Sequence, residues 1–284
     1  QYLRKRMCYA YYSALPARVI YSNKGLHASE AHMFTFLLKR LLPLPKLESL
    51  ESHLFIGPHP DDVEVACAPT VKKLVEAGRR VAFLVATDGR MGTDDPALRG
   101  EKLALLRREE ARASAALLGV KEVIFLPFED AGRYTADDLA RAVAREIARV
   151  KPDAVFAPDP DVVCEFHGDH LKTGQAVKLA SCMVPFASVM ESLGCAERHA
   201  PKVYAFYNTD RPNSFVRIGK YFRFREEALR CHKSQFNERE VKTIALYYKL
   251  RSVRLGLFRK FGLCDGYRAL TPARTHCFPE ASRW

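Results

Sequence analysis

The segment Leu54-Phe55-Ile56-Gly57-Pro58-His59-Pro60-Asp61-Asp62 joins a short apolar run to one imidazole and two carboxylates. An apolar run of this length that ends in a proline-rich turn predicts a buried β-strand. In open α/β folds, the residues that follow such a strand lie at the carboxyl edge of the sheet, where ligands bind. We therefore expect His59, Asp61 and Asp62 to line a functional site.

A second imidazole cluster, His167-Gly168-Asp169-His170, follows another strand-like run further along the chain. Taken alone, each cluster is more typical of a polar turn or a helix N-cap than of a ligand set. Because both clusters follow predicted strands, their joint placement reverses that preference. Two imidazole nitrogens and one carboxylate oxygen are the ligand set of a catalytic zinc site with an open coordination position.

The chain alternates between strand-like and helical patterns. Strand-like runs occupy residues 53–57, 80–87, 122–126, 154–157 and 202–207. Helical periodicity occupies residues 70–77, 98–118, 136–150 and 171–183, with C-terminal helices at 224–235 and 239–261. Gly119 is the expected stop of one helix, and Thr135 or Asp137 the expected cap of the next. This alternation predicts an α/β fold, with a Rossmann-like, mostly parallel sheet sandwiched between helices. Residues 1–50 form a helical N-terminal extension in this interpretation, and residues 51–284 form the main domain.

Composition excludes several classes of protein. A hydrophobic content of 48% and an aromatic content of 11% supply a core and argue against disorder. No run approaches the roughly 18 apolar residues that a membrane span requires. The net charge of +12 raises the question of nucleic acid, but the basic residues are spread over helical polar faces without a nucleic-acid-binding motif, so no such partner is expected. The eight cysteines are scattered without a CxxC pair, which indicates a reducing compartment and makes the cytoplasm the expected location.

The first cluster supplies two metal ligands and a base. His59 and Asp62 are close enough on one turn to bind the same ion, and His170 from a neighbouring strand end would complete a three-ligand face. One Zn²⁺ per chain would then keep its fourth position for water. Asp61 cannot easily face the same ion as its neighbour, so it is better placed to accept a proton from the bound water.

The second cluster supplies an acid and its orienting group. Attack on an acetamide carbonyl creates an oxyanion that needs an electropositive donor besides the metal. His167 is the candidate for that donor and for protonating the departing amine. Asp169 could orient His167 by a hydrogen bond. These roles are those of hydrolysis at a metal centre.

Several segments in consistent order resemble the PIG-L/LmbE family of zinc-dependent deacetylases, which remove acetyl groups from N-acetylglucosamine-type amides. Residues 57–64 (GPHPDDVE) resemble the first motif of that family, and His167-x-Asp-His170 resembles its second metal motif. Residues 87–92 (TDGRMG) are similar to its glycine-bearing loop, and residues 107–119 to its following helix. Residues 226–235 (EEALRCHKSQ) resemble the late H-x-S-Q signature. Long ordered agreement of this kind is more specific than any lone motif.

The resemblance implies a metal-dependent N-deacetylase whose partner is a small acetylated amino sugar or sugar conjugate. It agrees with the ligand, base and acid roles that the residues suggest. It further implies that Arg107 approaches the substrate and that Asp130 binds sugar hydroxyls. Without it, Arg107 would be an exposed helix arginine paired with Glu110, and Asp130 a turn carboxylate. Relatives often form oligomers, so a homo-oligomer is compatible with the resemblance.

Two other functions stay open from the sequence. One is an amidase acting on a bulkier acyl or thiol conjugate, and the other is a non-catalytic protein that binds a glycan or anionic polymer on the same fold. Asp61 beside an intact ligand set argues against the binder, because binding needs no base. Ala66-Cys67-Ala68-Pro69 stands where the family carries glycines, which leaves the pocket shape open. Pro69 is expected in the first turn of a helix, where proline is tolerated.

Overall fold

The computed structural model describes residue 33 and residues 35–257 and 262–276. The chain divides into a unit of residues 44–283 and a smaller one of residues 1–43 with residue 284. In the smaller unit, Met33 and residues 35–41 are helical. Residues 1–32 lie outside the described residues. The helical extension over residues 1–50 and the domain that follows it therefore stay predictions.

Seven strands in the described part of the larger unit form one sheet. They are β1 Ser52–Gly57, β2 Arg80–Thr87, β3 Glu122–Phe128, β4 Ala154–Pro158, β5 Val203–Tyr207, β6 Ser214–Arg217 and β7 Cys264–Leu270. Their order across the sheet is β3-β2-β1-β4-β5-β7-β6. The strands from β3 to β5 in that order are parallel, whereas β7 is antiparallel to both β5 and β6. The predicted mostly parallel α/β fold is confirmed.

Helices cover both faces of this sheet. They are α1 Asp62–Glu76, α2 Glu101–Leu118, α3 Ala136–Val150, α4 Gly168–Ser181, α5 Ala187–Ser192, α6 Phe224–Leu229 and α7 Glu238–Leu257. One hydrophobic core joins α1, α2 and α6 to one face, and a second joins α3, α4 and α5 to the other. Burial on both faces explains why β1 and β4 are buried along their whole length. Within the described ranges, no helix combines the length and apolarity that crossing a membrane requires.

Local signals end and begin two of the helices where the sequence predicts. Gly119 follows α2 with a φ of 87°, a left-handed conformation that glycine adopts without a steric penalty. Thr135 caps α3, because its hydroxyl accepts the backbone N–H of Asp138 at 3.1 Å. The Asp138 carboxylate in turn accepts the backbone N–H of Thr135 at 2.9 Å, which completes a capping box.

Several elements differ from the prediction. α1 begins at Asp62, well before the predicted start, so the first motif is the entry to a helix. β6 and β7 were not predicted, because the sequence of β7 (CDGYRAL) mixes charged residues and a glycine with apolar ones. The predicted helix over 224–235 ends at Leu229. α7 is described to Leu257, and residues 258–261 of the longer predicted helix lie outside the described residues.

Pro69 lies inside α1 rather than in its first turn. Because proline has no N–H, the carbonyl of Val65 loses its donor within the helix. Arg225 replaces that donor, since its Nε donates to Val65 O at 2.9 Å and its Nη2 donates to Ala66 O at 3.2 Å. Arg225 is fully buried, and its Nη2 also donates to Asp265 Oδ1 at 3.0 Å. A distant ion pair therefore satisfies the carbonyl that Pro69 leaves open.

Candidate metal centre

The loops that follow β1 and β4 meet at the carboxyl edge of the sheet. β1 pairs with β2 on one side and with β4 on the other, so successive connections leave the middle of the sheet in opposite directions. Such a switch point opens the crevice in which α/β folds bind ligands. The turn over residues 58–61 and the start of α4 at Gly168 both lie at this crevice.

His59, Asp62 and His170 come together in the crevice. One ligand atom from each residue lies within 4.8 Å of the other two. His59 Nδ1 is 3.0 Å from Asp62 Oδ2, and His170 Nε2 is 3.4 Å from Asp62 Oδ1. The centroids of the two imidazole rings are 5.4 Å apart. The fold thus juxtaposes the three residues predicted as metal ligands.

The turn between β1 and α1 is closed by a hydrogen bond and is strained. Asp62 Oδ2 accepts the backbone N–H of His59 at 2.8 Å, which ties the two ends of the turn together. Between them, Asp61 has a φ of 141°, a backbone conformation that residues other than glycine rarely adopt. Strain of this kind is concentrated at functional sites. The predicted base therefore occupies the most constrained position of the turn.

The charges around His59 suit a cation. His59 Nε2 lies 3.3 Å from Asp130 Oδ1 and 3.5 Å from Asp169 Oδ2, and it is buried without an aligned hydrogen bond among the described residues. Burial lowers the pKa of His59, but its carboxylate neighbours, Asp130 first, raise that pKa well above its ordinary value. Burial opposes ionisation of Asp62, but His170 and His59 hold the pKa of Asp62 well below its usual range. Imidazoles and carboxylates this close to one another form a donor set that fits a divalent metal.

Asp61 is held by Arg107. Arg107 Nη2 donates to Asp61 Oδ2 at 2.9 Å and to Pro60 O at 3.0 Å, and Nη1 donates to Gly89 O at 2.9 Å. A Cβ atom at Gly89 would lie 2.5 Å from Arg107 Nη1, so glycine at this position makes room for the guanidinium. Burial raises the pKa of Asp61 to about 6, and Arg107 opposes that shift. A carboxylate that titrates near neutral pH is suited to proton transfer.

Arg107 and Asp130, the predicted substrate contacts, both lie at the centre. The alternative of an exposed Arg107 paired with Glu110 is wrong, because Arg107 is only 4% exposed. Glu110 instead accepts the backbone N–H and the hydroxyl of Ser234 at 2.7 and 2.6 Å. Asp130 Oδ2 accepts the backbone N–H of Met91 at 3.2 Å. Contact with a substrate stays a prediction for both residues.

His167, the predicted acid, is exposed at the rim of the crevice. The centroid of its ring is 4.8 Å from that of His59 and 4.8 Å from that of His170. Its Nδ1 accepts the backbone N–H of Asp169 at 3.3 Å, so the neutral ring carries its proton on Nε2. Burial, followed by the neighbouring histidines, lowers the pKa of His167. The neutral form therefore predominates at neutral pH.

Asp169 is hydrogen-bonded to His167 through its backbone N–H rather than through its carboxylate. The carboxylate accepts the hydroxyl of Tyr134 at 2.7 Å and the backbone N–H of Ala131 at 2.8 Å. Burial opposes its ionisation, but His59 and Tyr134 hold the pKa of Asp169 well below its usual range. Asp169 thus fixes the loop after β3 against the metal centre.

Glu165 belongs to the centre but was not predicted from the sequence. Its Oε2 lies 3.1 Å from His170 Nδ1, and its Oε1 accepts the backbone N–H of His167 at 2.8 Å. A carboxylate on the second ring nitrogen fixes the orientation of a metal-binding histidine and raises its basicity. The residue lies in an irregular loop, where no periodic pattern marks it. Its closeness in sequence to two candidate histidines was the available signal.

The late motif contacts α1 and the glycine-bearing loop. His232 is fully buried, with Nε2 3.3 Å from Glu64 Oε1. Gln235 Nε2 donates to the carbonyl of Gly92 at 3.2 Å. The motif therefore connects α1 and the glycine-bearing loop, and His232 lies among neither group of candidate metal ligands.

The fold and the site define an α/β protein with a His–Asp–His cluster at its switch point. A family model described as PIG-L: GlcNAc-PI de-N-acetylase matches residues 54–181. The diacetylchitobiose deacetylase of Thermococcus kodakarensis is 36% identical over 206 residues, which cover 69% of this chain and 76% of that protein. The chain belongs to the PIG-L family of deacetylases, as its motifs predict.

A solved structure and a second relative agree with this assignment. The N,N'-diacetylchitobiose deacetylase from Pyrococcus horikoshii, complexed with its inhibitor MPG, has a TM-score of 0.80 at 29% identity, covering 88% of this chain and 96% of that chain. The 1D-myo-inositol 2-acetamido-2-deoxy-alpha-D-glucopyranoside deacetylase of Kineococcus radiotolerans is 27% identical over 202 residues. That match covers 61% of this chain and 56% of that protein. The predicted fold class is that of the solved deacetylase.

Proposed function

We propose that this protein is a zinc-dependent N-deacetylase that hydrolyses the acetamide of an N-acetylglucosamine-type sugar or sugar conjugate and releases acetate. The observation that carries the proposal is the convergence of His59, Asp62 and His170 beside Asp61, a buried carboxylate outside that ligand group. The names of the Thermococcus and Pyrococcus relatives support the substrate class. The cytoplasmic location and a homo-oligomer stay predictions.

His59, Asp62 and His170 would hold the ion. Two imidazoles and one carboxylate leave an open position on a tetrahedral metal, and this mixture of nitrogen and oxygen donors suits zinc. When bound, zinc would lower the pKa of a water molecule and polarise the amide carbonyl. The Glu165 carboxylate would fix the His170 ring for this task.

A second group of donors also meets within 4.8 Å, namely His59, His167 and Asp169. It is the weaker candidate, because the Asp169 carboxylate already accepts hydrogen bonds from Tyr134 and Ala131. In addition, His167 Nδ1 accepts the backbone N–H of Asp169. Both oxygens of Asp169 and the Nδ1 atom of His167 are therefore engaged within the protein. Asp62 Oδ1 and His170 Nε2, 3.4 Å apart, accept no hydrogen bond from the described residues, so we assign the metal to the first set.

Asp61 is the general base in this proposal. Arg107 occupies Oδ2 at 2.9 Å, whereas Oδ1 accepts no hydrogen bond from the residues that the structure describes. Oδ1 is thus the atom that takes a proton from the attacking water. Because Arg107 also binds Pro60 O and Gly89 O, it fixes the carboxylate in a single orientation. A pKa of about 6 keeps Asp61 ionised at neutral pH while leaving it basic enough to accept a proton.

His167 stabilises the negative charge that develops on the carbonyl oxygen. Its neutral ring carries a proton on Nε2, which can donate a hydrogen bond to that oxygen. The proton that Asp61 takes from water is the one that the departing amine requires, so Asp61 can return it to the amine. A neutral His167 would become an imidazolate if it gave up its Nε2 proton, so it can protonate the amine only after taking up a proton itself, and that role stays a prediction.

The test combines zinc analysis with acetate release from N-acetylglucosamine and di-N-acetylchitobiose. We expect one zinc per chain and acetate from at least one of these sugars. His170→Ala should lose both zinc and activity. His199→Ala is the matched control, because His199 bonds the carbonyl of Pro152 ahead of β4, and it should keep both. Full zinc occupancy in His170→Ala, or no acetate from any acetylated amino sugar, would contradict the proposal.

A further inference from the structure

Helix α7 exposes an apolar row on the side opposite the one that packs on the domain. Its packed side consists of the residues that are buried, namely Val241, Ala245, Tyr248, Ser252 and Gly256. The exposed row, here called the α7 stripe, consists of Leu246, Leu250, Val253 and Leu257, which are 39–69% exposed. These four residues follow one another at intervals of four, three and four, so they lie on one side of the helix. A contiguous exposed apolar patch of this kind is typical of an interaction surface.

Basic residues border the α7 stripe on both sides. At about 100° of rotation per residue, Lys242 and Lys249 lie along one edge of the stripe and Arg254 along the other. Residues 241–257 include four basic residues and no acidic one. Among the residues that the structure describes, neither Lys249 nor Arg254 pairs with a carboxylate. The stripe and its edges therefore match a partner that is both apolar and negatively charged.

A second copy of this chain is a poor partner for the α7 stripe. Intervals of three and four residues also occur in coiled coils, in which the residues that border the apolar seam face those of the other helix. Lys242, Lys249 and Arg254 would then face basic residues in either orientation of the two helices, and like charges disfavour that pairing. A stable protein interface also takes roughly 20–30 residues from each partner, far more than the stripe and its edges provide.

An anionic lipid surface matches both the stripe and its edges. A helix at the boundary between membrane and water buries its apolar side about 5–10 Å deep, and lysine and arginine beside that side extend their long stems to the headgroups. Tyr247, which is 58% exposed next to the stripe, is of a residue type enriched at this boundary. A fluid lipid surface also adapts to a convex row of leucines, whereas a protein usually binds an apolar helix in a groove.

We propose that α7 binds the surface of an anionic membrane, with the α7 stripe against the acyl chains and the basic residues at its edges beside the headgroups. The net charge of +12 attracts the rest of the chain to the same surface. Four apolar side chains are few, so the binding is shallow and reversible. The proposal is independent of the deacetylase function, because α7 supplies none of the candidate metal ligands.

The test is sedimentation of the full chain with large vesicles, either of phosphatidylcholine alone or of equal parts of phosphatidylcholine and phosphatidylserine. We expect the anionic vesicles to bind the protein at least about tenfold more tightly, because each basic residue near the surface contributes about fivefold. Added salt should weaken this binding, since it screens the attraction between the basic residues and the headgroups.

Substitutions at exposed positions separate the stripe from its charged edges. Leu250→Gln should weaken binding to the anionic vesicles by about tenfold or more, whereas Leu105→Gln should not, because Leu105 is 56% exposed on α2 and lies outside the stripe. Lys249→Gln should weaken binding by about fivefold. Arg141→Gln removes the same charge from the exposed side of α3 and should change binding much less. Circular dichroism checks that each variant is folded.

Three results would overturn the proposal. Absence of binding, or equal binding to the two kinds of vesicle, would exclude an anionic membrane and leave an acidic protein as the partner. Unchanged binding of Leu250→Gln would show that another basic part of the chain contacts the lipid. A dimer that forms without lipid and is abolished by Leu250→Gln, measured by sedimentation velocity, would assign the stripe to a second copy instead.

Discussion

Two buried arginine–aspartate pairs in this molecule have nearly the same nitrogen–oxygen distance. The distance between nitrogen and oxygen is 2.9 Å in Arg107–Asp61 and 3.0 Å in Arg225–Asp265. Each guanidinium also donates to two backbone carbonyls. Each arginine is thus held by an aspartate and two carbonyls, and the difference between the pairs lies in their aspartates.

The aspartates differ in the use of the second carboxylate oxygen. Asp265 Oδ2 accepts the hydroxyl of Thr70 at 2.8 Å, so both of its oxygens are committed to the fold. Asp61 Oδ1 has no such acceptor role among the described residues, and the positive φ of 141° holds Asp61 at the crevice. One pair therefore stabilises the structure, whereas the other leaves a carboxylate oxygen available for chemistry.

The largest effect is expected for Asp61→Asn. Loss of the general base should lower acetate release by about 10²- to 10⁴-fold, with zinc content unchanged. The pKa of Asp61 is raised to about 6 in the folded protein, so the ionised side chain lowers the free energy of unfolding at neutral pH. Asparagine removes this cost but also the counter-charge of the buried Arg107, so urea titration of the two metal-free proteins should show only a small net change in the free energy of unfolding.

Asp265→Asn is the matched control for this experiment. It removes a charge that is hydrogen-bonded through both oxygens, so it should lower the free energy of unfolding and leave the turnover of the remaining folded protein unchanged. Urea titrations and acetate assays measure both quantities. Near-normal acetate release by Asp61→Asn would show that Asp61, like Asp265, is not the general base.

The next largest effect is expected on stability, when Arg225, the donor to the Val65 carbonyl of α1, is changed. Arg225→Leu leaves Asp265 and the Val65 carbonyl without their donor, so we expect a loss of roughly 3–5 kcal/mol in the free energy of unfolding. In a Pro69→Ala background, residue 69 regains an N–H for that carbonyl, and the loss should be smaller. Arg223→Leu is the control, because the Arg223 side chain is 72% exposed. Urea titration measures the free energy of unfolding of each variant. If Arg225→Leu lowers it equally in both backgrounds, Arg225 does not stabilise α1 through the Val65 carbonyl.

A smaller effect is expected when Arg107 is changed. Arg107→Met should lower kcat by about 10- to 100-fold, since a misplaced carboxylate still accepts a proton but less effectively. KM should change little if Arg107 acts through Asp61. A rise in KM with an unchanged kcat would instead favour the substrate contact that the family resemblance implies. Arg112→Met, on an exposed part of α2, should resemble the wild type in both constants.

The smallest effect is a shift in the pH profile. Because the base must be ionised, kcat/KM should fall about tenfold per pH unit below the pKa of Asp61, which is about 6 without metal. A bound cation would lower this pKa. Arg107 favours the ionised form, so Arg107→Met should move this acid limb to higher pH. Profiles of the two proteins measured under the same metal loading check the direction. An acid limb that moves to lower pH would contradict the assigned interaction.

The sequence predicts the parallel strands of this fold better than the antiparallel ones. Strands β1 to β5 form the parallel part of the sheet, and each contains an apolar run that marks it. β7 has no such run, because Asp265 pairs with Arg225 and Arg268 lies opposite Phe206 of β5. Arg225 and Phe206 lie far from β7 in the chain, so no local sequence pattern indicates these contacts.

The same distinction holds for the candidate site. The proximity of His59, Asp62 and His170 could be predicted, because residues after parallel strands converge at one edge of the sheet. The direction of Arg107 could not be predicted, since its partners Pro60 and Gly89 lie on two other loops. Glu165 was not predicted for a similar reason, because the conformation of an irregular loop sets the direction of its side chain.

The candidate ligands lie on two segments, the turn before α1 and the first turn of α4, that are about a hundred residues apart in the chain. With the proposed ion in place, those segments are clamped together and the long intervening stretch becomes a closed loop. A cation that binds the native arrangement alone adds to folding stability by mass action. Supply of the metal would then govern not only how fast the protein works but also how long each molecule survives unfolding and proteolysis.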